Sequence, residues 1–427
     1  MPPAVVLPAV VLPAVVLPAV VLLGAMDTKG AEYSFVRDRL RAAGVETITV
    51  DFGVLGTPLL SADISSGEVA EAGGGDLEQL RADADRGAAM AIMAAGSAAV
   101  VKRLVAEGRV QGALALGGTG GTSLAAAAFR ELPLGFPRII VSTAASGDTA
   151  QYIGETDLIL VPSIVDIAGL NRISTKILGN AAAALSGMVN AVPVPDGGSR
   201  PLVAASMFGV TTPCVTRARE RLEELGYEVL VFHMTGSGGR AMESLIRQGY
   251  IDGVLDVTTT ELCDNLVGGV FSAGADRLTA AAAGGIPQVV SLGALDMVNW
   301  GAIDTVPAQF RDRNLYVHNS SVTLMRTTPE ESSAIGAELA GKVAASTAEA
   351  VVVLPLGGVS ALAGPGGPFY DPAADAALFD AVRSGLEGSA VDLVERPEHI
   401  NDPELAVWLA DRLHALIRQA ATAELQR

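Results

Sequence analysis

The chain has 427 residues, a formal net charge of −18, 50% hydrophobic residues and only 4% aromatic residues. At roughly 100 to 200 residues per domain, this length predicts two or more globular domains that bury their own cores. So acidic a chain repels nucleic-acid phosphates and anionic lipid headgroups, and since it has no basic patch we expect neither nucleic acid nor a membrane as a partner. Its two cysteines, Cys214 and Cys263, do not make a disulfide scaffold, and no spacing of His, Cys and Asp specifies a metal site. We therefore expect a cytoplasmic protein.

Residues 3–22 repeat the pentapeptide Pro-Ala-Val-Val-Leu four times. A signal peptide needs basic residues at its start, but the first lysine or arginine is Lys29, and proline every fifth residue is incompatible with a membrane helix. We expect residues 1–19 to be a disordered extension. The last copy, which runs into Leu22 and Leu23, predicts the first buried strand.

Residues 20–190 are predicted to form a Rossmann-like α/β domain. Apolar strands at 20–23, 45–50, 111–116 and 138–141 alternate with helical patterns at 31–43, 98–107 and 124–131. Strands that alternate with helices favour a parallel sheet that is covered on both faces.

Two prolines and two glycines in residues 191–200 predict a linker, and residues 201–427 are predicted to form a second α/β domain. An offset of 141 maps Gly108 onto Gly249, and an offset of 150 maps Pro137 onto Pro287. Since the strands and loops follow in the same order in both halves, we infer an internal duplication of one α/β unit. The alternative is that any two parallel α/β domains share such spacing.

A glycine-rich loop after the strand at 111–116 is the first candidate for chemistry. Backbone N–H groups can approach a phosphate closely there, and the following helix adds the positive end of its dipole. The loop is neither a Walker A motif nor a strict dinucleotide fingerprint, and tight packing of strand against helix is the alternative explanation. The predicted nucleotide-binding residues of this loop are Gly117, Gly118, Thr119, Gly120, Gly121 and Thr122.

Two further loops follow strands of the same predicted sheet. Thr28 and Lys29 come after the first strand, where the ammonium could reach a β- or γ-phosphate, although a solvated lysine at a helix start is the alternative. The loop after the strand at 138–141 offers hydroxyls and a carboxylate to ribose or magnesium, although the same groups cap helices well. Its predicted nucleotide-binding residues are Thr143, Ser146, Gly147 and Asp148.

The second half offers candidates for acid–base chemistry. Arg240 follows a histidine- and glycine-containing strand end, Glu261 follows three threonines, and His318 follows an apolar strand. Together they could bind and transform a small anion. Each could equally be a structural residue, so the catalytic residues stay undefined.

Several blocks of the sequence together resemble a known family. They are residues 27–33, 51–58, 117–123, 166–173, 207–214 and 258–261. In this order they resemble the tomato mosaic virus resistance protein-like ATP-binding family, and the resemblance extends from Val20 to the C-terminus. It implies two α/β domains, ATP held by the N-terminal domain, and a homodimer; Mg²⁺ beside the ATP is an expectation from the loop after the strand at 138–141 alone. It implies no particular reaction.

The leading hypothesis is an ATP-binding protein in which Lys29 and the loop 117–122 hold phosphates, with ATP as substrate or as regulatory ligand. The alternative is an enzyme that acts on a small anionic keto or sugar acid at the second domain or at the domain interface. A third hypothesis is a non-enzymatic module whose ATP-bound form recognises another protein. Whether the chain is an enzyme is left open.

Overall fold

The computed structural model describes residues 17–192 and 200–424, which form two compact units separated near residue 195. Each unit contains a parallel sheet with helices, so the predicted α/β class is confirmed. Residues 1–16 of the predicted extension and residues 193–199 of the predicted linker lie outside the described residues. Ala19, which was assigned to the extension, is instead the first residue of a strand.

The first unit contains a five-stranded parallel sheet in the order β2-β1-β3-β4-β5. Its strands are β1 (Ala19–Gly24), β2 (Glu46–Asp51), β3 (Gly112–Gly117), β4 (Arg138–Ser142) and β5 (Ile159–Pro162). Its helices are α1 (Met26–Ala42), α2 (Ser66–Ala72), α3 (Leu77–Asp83), α4 (Arg86–Ala106), α5 (Thr119–Arg130), α6 (Ala150–Ile153) and α7 (Ser174–Asn190). This is the 2-1-3-4-5 order of doubly wound domains, the flavodoxin-like variant of the Rossmann-like class.

The sheet of the first unit is buried on both faces. In β1, Val20 and Leu22 pack in the core beneath α1 and α7, whereas Val21 and Leu23 pack in the core beneath α2, α4 and α5. Successive strand side chains point to opposite faces, so a continuous apolar run is what a doubly covered strand requires.

Helix α4 is long and apolar enough to cross a membrane by length and composition alone. It buries Met93, Val100, Val101 and Leu104 in the core of the first unit. Of its most apolar 18-residue stretch, 39% is buried inside the structure, and a single helix of this kind is weak evidence for a membrane span.

Several predicted helix boundaries are wrong. Helix α4 starts at Arg86 rather than at residue 98, and α5 starts at Thr119 rather than at residue 124. Helix α1 starts at Met26, so Thr28 and Lys29 lie in its first turns, with a local departure from helical geometry at Lys29 (φ −129°, ψ 21°). Thus only Gly117 and Gly118 precede α5, and Thr119, Gly120 and Gly121 form its first turn.

The second unit contains a six-stranded parallel sheet in the order β14-β13-β9-β8-β6-β7 and an antiparallel sheet in the order β10-β12-β11. The strands are β6 (Leu202–Met207), β7 (Glu228–His233), β8 (Gly253–Thr258), β9 (Gln288–Gly293), β10 (Met297–Trp300), β11 (Leu315–Asn319), β12 (Val322–Arg326), β13 (Ala350–Pro355) and β14 (Asp392–Arg396). The helices are α8 (Thr212–Glu224), α9 (Ser237–Arg247), α10 (Glu261–Val267), α11 (Ala280–Gly284), α12 (Pro329–Ala344), α13 (Pro372–Leu386) and α14 (Pro403–Glu424).

The first five strands of each parallel sheet share one order, in which the second strand of the unit lies outside the first. Gly108 and Gly249 both have positive φ, at 67° and 78°, just before β3 and β8. Pro137 and Pro287 both precede the fourth strand, and each carbonyl accepts a hydrogen bond from the third strand. The two halves therefore share a topology, and Gly108 and Pro137 occupy the same places in it as Gly249 and Pro287. This agreement supports the inferred duplication.

Helices α2 and α4 approach so closely that the contact requires glycine. A Cβ added at Gly96 would lie 1.9 Å from the carbonyl oxygen of Val69. We expect Gly96→Ala to lower the free energy of unfolding by about 1–3 kcal/mol, because the backbone of α2 has to move. Gly179→Ala in α7 is the control: nothing lies within 4 Å of the added Cβ, and we expect no loss. Thermal unfolding of both variants tests this, and equal midpoints would contradict it.

Candidate functional site

A cavity of about 540 Å³ lies at the carboxyl edge of the first sheet. It is lined by Ala25 after β1, Phe52 and Gly53 after β2, and Gly120 and Gly121 after β3. Because β2 and β3 lie on opposite sides of β1, this is the topological switch point of the sheet. Ligands of doubly wound domains bind at such a point.

The first turn of α5 faces this cavity without a side-chain acceptor. Each of the other described helices of eight or more residues has an N–H group of its first turn hydrogen-bonded to a side-chain oxygen. The acceptors are Asp51 for α1, Asp85 for α4, Asn171 for α7, Asn401 for α8, Glu261 for α9, Thr328 for α12, Asp371 for α13 and Asp402 for α14. In α5, the N–H groups of Thr119, Gly120 and Gly121 have no such partner among the residues described. The amino end of α5 is thus available to an anion.

Two arginines line the same cavity. Nη2 of Arg86 would lie 3.6 Å from a Cβ at Gly120, and the guanidinium of Arg86 makes no hydrogen bond or ion pair within the described ranges. Arg81 is fixed, since its Nε donates to the carbonyl of Val54 at 2.9 Å and its Nη1 pairs with Glu78 at 2.7 Å. The free cation next to the first turn of α5 is therefore that of Arg86.

Apolar side chains line the same cavity, namely Phe52, Leu80, Met90, Met93 and Leu124. Two of them adjoin the first turn of α5, since Cε of Met90 would lie 3.8 Å from a Cβ at Gly120 and Cζ of Phe52 would lie 3.9 Å from a Cβ at Gly121. A cavity with an apolar lining and a few convergent polar groups suits a ligand that combines a flat apolar moiety with an anionic one.

The structure separates Thr28 from Lys29. Thr28 lines the cavity with Gly120 and Gly121. Lys29 is not part of the lining, and its Nζ donates a 2.5 Å hydrogen bond to the carbonyl of Ile167 in the loop after β5. The phosphate contact expected of Lys29 stays a prediction, and the observed contact ties the loop to α1.

The other predicted nucleotide-binding residues lie around the amino end of α5. Thr122 is buried, and its Oγ1 lies 2.9 Å from the carbonyl of Gly118 and 2.6 Å from Oγ of Ser142. A Cβ at Gly118 would lie 3.7 Å from Oγ1 of Thr143, so that hydroxyl is next to the loop. Gly117 is the buried last residue of β3.

Ser146, Gly147 and Asp148 are exposed and do not line the cavity. Oδ1 of Asp148 accepts the N–H of Ala150 at 3.1 Å, which is a capping contact. This observed contact agrees with the alternative that the loop caps a helix, and a role toward ribose or magnesium stays a prediction.

In the second unit, Glu261 belongs to a fully buried charge cluster. Its Oε2 accepts from Nε of Arg277 at 2.7 Å, and its Oε1 accepts from the N–H groups of Gly236 and Gly239. Burial raises the pKa of the Glu261 carboxyl, while Arg277 and the two N–H groups oppose that rise. Glu261 therefore fixes the amino end of α9 and the position of Arg277.

Arg277 is also bound by two other buried acids. It forms two hydrogen bonds with Asp256, at 2.6 and 2.7 Å, and a 3.3 Å contact with Glu243. Glu243 in turn accepts the N–H groups of Leu278 and Ala280. One cation thus holds three carboxylates and, through them, the starts of α9 and α11.

The described contacts do not bring the three catalytic candidates together. Nη1 of Arg240 donates to the carbonyl of Ser272, close to the Gly236–Gly239 turn. His318 is exposed on the edge strand β11, at a register irregularity, and makes no described contact with Glu261 or Arg240. An acid–base site built from all three has no support in these contacts.

Two family models match the chain, one over residues 18–193 and one over residues 200–417. They describe the N-terminal and C-terminal domains of the uncharacterised protein family UPF0261. The chain belongs to the UPF0261 family. A UPF0261 protein of Clostridium tetani is 52% identical over 392 residues, which cover 92% of this chain and 97% of that protein.

The tomato relative agrees with the resemblance seen in the sequence. The ToMV resistance protein Tm-1(GCR237) of Solanum lycopersicum is 47% identical over 334 residues, covering 76% of this chain and 44% of that protein. Among solved structures, the UDP-N-acetylglucosamine 2-epimerase of Rickettsia bellii is 8% identical with a TM-score of 0.21, covering 64% of this chain and 78% of that one. A likeness of that size carries no functional argument.

The sequence interpretation missed several lining residues of this UPF0261 chain. Leu80, Arg81 and Arg86 belong to a stretch to which no element was assigned. Asp85 followed by a long apolar helical pattern was the available signal, because aspartate is a preferred N-cap residue and its Oδ1 accepts from Gly87 and Ala88. Recognising that cap would have placed Arg86 at a helix start.

The buried cluster around Arg277 yields a stability prediction. Arg277→Met should lower the free energy of unfolding by about 3–5 kcal/mol, because it leaves Glu243, Asp256 and Glu261 buried without a cation. Arg277 opposes the rise that burial gives the pKa of Glu261, so without Arg277 this pKa should rise further, and the loss should be larger at pH 8 than at pH 5, where protonation of Glu261 relieves it. Denaturant unfolding at both pH values measures this.

Arg383→Met is the matched control for Arg277→Met. Arg383 pairs with Asp380 and Glu395 at the surface, and we expect its loss to cost no more than about 1 kcal/mol at either pH. Equal effects of the two variants would show that the buried cluster has no special role in stability.

Proposed function

We propose that this chain binds ATP at the carboxyl edge of the first sheet, with the phosphates at the amino end of α5. The observation that carries the proposal is the first turn of α5, whose N–H groups lack side-chain acceptors where the other described helices of that length have them. A triphosphate would supply these acceptors and pair with the free guanidinium of Arg86. The resemblance to an ATP-binding family supports the same ligand.

The apolar residues of the cavity lining suit the adenine base. Phe52, Met90 and Met93 offer an aromatic ring and two polarizable thioethers to a flat heterocycle. A cavity of about 540 Å³ has the size of ordinary small-molecule sites. Thr28 also lines the cavity, and its hydroxyl could bind ribose or phosphate.

Calorimetric titration with ATP tests this proposal. We expect Gly120→Val and Arg86→Ala each to weaken ATP binding by more than tenfold, about 1.4 kcal/mol, because the first blocks the N–H groups of α5 and the second removes the free cation. Lys29→Ala tests the phosphate contact expected from the sequence.

Lys102→Ala is the matched control for charge. Lys102 lies on α4, as Arg86 does, but pairs with Glu131 on the surface, so its loss should leave the affinity within about threefold. An intact protein that binds no ATP would refute the proposal. Equal weakening by Arg86→Ala and Lys102→Ala would refute the assigned position.

The alternative, an enzyme for a small keto or sugar acid at the second domain or the domain interface, stays a prediction. Glu261 is buried and bound by Arg277 and two N–H groups, so Glu261→Ala would remove a structural contact whatever its effect on activity. Whether ATP is hydrolysed or acts as a regulatory ligand is decided by phosphate release in the same titrated sample.

A homodimer in the cytoplasm is the remaining part of the proposal. The family resemblance supports it, as does the exposed face of α4 that carries Ala88, Ala91, Ala95 and Ala99. Light scattering at micromolar concentration should give twice the chain mass of 43.5 kDa. A mass of 43.5 kDa would contradict the dimer and leave ATP binding unaffected.

A further inference from the structure

Helix α3 forms part of the cavity wall but is weakly anchored in the first unit. Its Leu80 and Arg81 both line the cavity. Of the seven residues of this helix, all of them described, Leu80 alone is buried, at 7% exposure. A short segment with so little buried apolar surface belongs to the parts of a fold that open at low free-energy cost.

Arg81 makes the hydrogen bonds that join α3 to the rest of the unit. Its Nε donates to the carbonyl of Val54 at 2.9 Å, and its Nη2 donates to the carbonyl of Gly56 at 3.4 Å. Within the described ranges, no other hydrogen bond or ion pair links residues 77–83 to a residue beyond the helix and its N-cap, Asp76. Arg81 therefore acts as the single polar attachment of α3.

The loop that receives Arg81 is itself fixed. The N–H groups of Leu55 and Gly56 both donate to Oδ2 of Asp27, each at 3.0 Å. Asp27 thus ties the loop after β2 to the first turn of α1. Opening of this part of the cavity therefore requires α3 to move rather than the loop.

The backbone has a left-handed residue close to each end of α3. They are Gly74, with φ 81°, and Ala84, with φ 51°. Beyond them the chain is fixed to α4, since a Cβ at Gly73 would lie 2.1 Å from the carbonyl oxygen of Ile92 and Asp85 caps α4. The left-handed conformation is strained for alanine, and a rotation of α3 between the two fixed points relieves that strain.

We propose that α3 is a lid on the cavity, hinged at Gly74 and Ala84 and latched by Arg81 onto the loop after β2. The structure shows the latched state. When the latch opens, Leu80 and Arg81 leave the cavity wall, and a ligand can enter or leave. As regulation of access to the ATP site this inference rests on the proposed function, but the motion of the lid itself needs no nucleotide.

A thiol placed inside the cavity measures the opening. Met93 lines the cavity and is 1% exposed, whereas both native cysteines are buried in the second unit. In Met93→Cys, the rate of reaction with a soluble thiol reagent therefore reports access to the cavity. In this background we expect Arg81→Met to raise the rate at least fivefold, because the latch is lost. Ala84→Gly should lower it at least threefold, because glycine adopts the positive φ of the latched state without strain.

Arg37→Met is the matched control. Like Arg81, Arg37 is a partly exposed arginine that pairs with an acid of its own helix, but it does not line the cavity and its described contacts stay within α1. Its labelling rate should stay within twofold of the parent rate. Hydrogen exchange in the chain with native Met93 is the second measurement. The amides of α3 should exchange faster in Arg81→Met and slower in Ala84→Gly, while those of α4 stay unchanged.

The outcomes separate the lid from the proposed function. Equal labelling and exchange rates in Arg81→Met, Arg37→Met and the parent would overturn the lid. Bound ATP should protect the introduced thiol, and Arg81→Met should speed the release of ATP at least fivefold. Release at the wild-type rate would overturn the lid while the nucleotide proposal stands. If ATP does not bind, the proposed function fails, and the labelling and exchange rates alone decide for or against the lid.

Discussion

The hydrogen bonds that Asp51 accepts from Met26 and Gly53 join the end of β2 to the start of α1, and the site in the first unit depends on that junction. They hold the loop after β2 against the first turn of α1, so that Phe52, Gly53 and Asp27 form one wall of the cavity. Burial of the Asp51 carboxylate has a desolvation cost, and the two hydrogen bonds from backbone N–H groups offset part of it. The second oxygen of Asp51 is buried and accepts no hydrogen bond from the described residues.

The two units share a strand order but satisfy their helix starts differently. In the second unit the carboxylates of Glu261 and Glu243 accept N–H groups at the starts of α9 and α11, and Arg277 neutralises both. These internal anions occupy the positive ends of the helices. In the first unit, α5 has a glycine N-cap and no such anion. The helix after the third strand of the second unit, α10, also lacks a side-chain cap, so the difference between the units lies at α9 and α11 rather than at the counterpart of α5.

The sequence was sufficient to predict the parts of the fold that follow from local chemistry. Apolar runs predicted the strands, and glycines such as Gly44, whose φ is 76°, marked the turns before them. It was insufficient for the segment between β2 and α4, where short helices α2 and α3 carry few apolar residues. Their positions depend on tertiary contacts such as that of Gly96 with Val69, which no local pattern encodes.

In the site, too, the sequence predicts what local chemistry determines and fails where tertiary contacts decide. The glycine loop could be found because the need for close backbone approach restricts the residue type, and the resulting helix start lies where the loop predicted it within a few residues. The direction of Lys29 could not be found, because a flexible four-carbon side chain can reach either the cavity or the loop after β5, and the carbonyl of Ile167 attracts it. Arg86 is constrained differently: it starts a 21-residue helix whose N-cap, Asp85, is fixed by its own hydrogen bonds. The guanidinium of Arg86 therefore extends from a fixed backbone position at the cavity, whereas the ammonium of Lys29 is bound to the loop after β5.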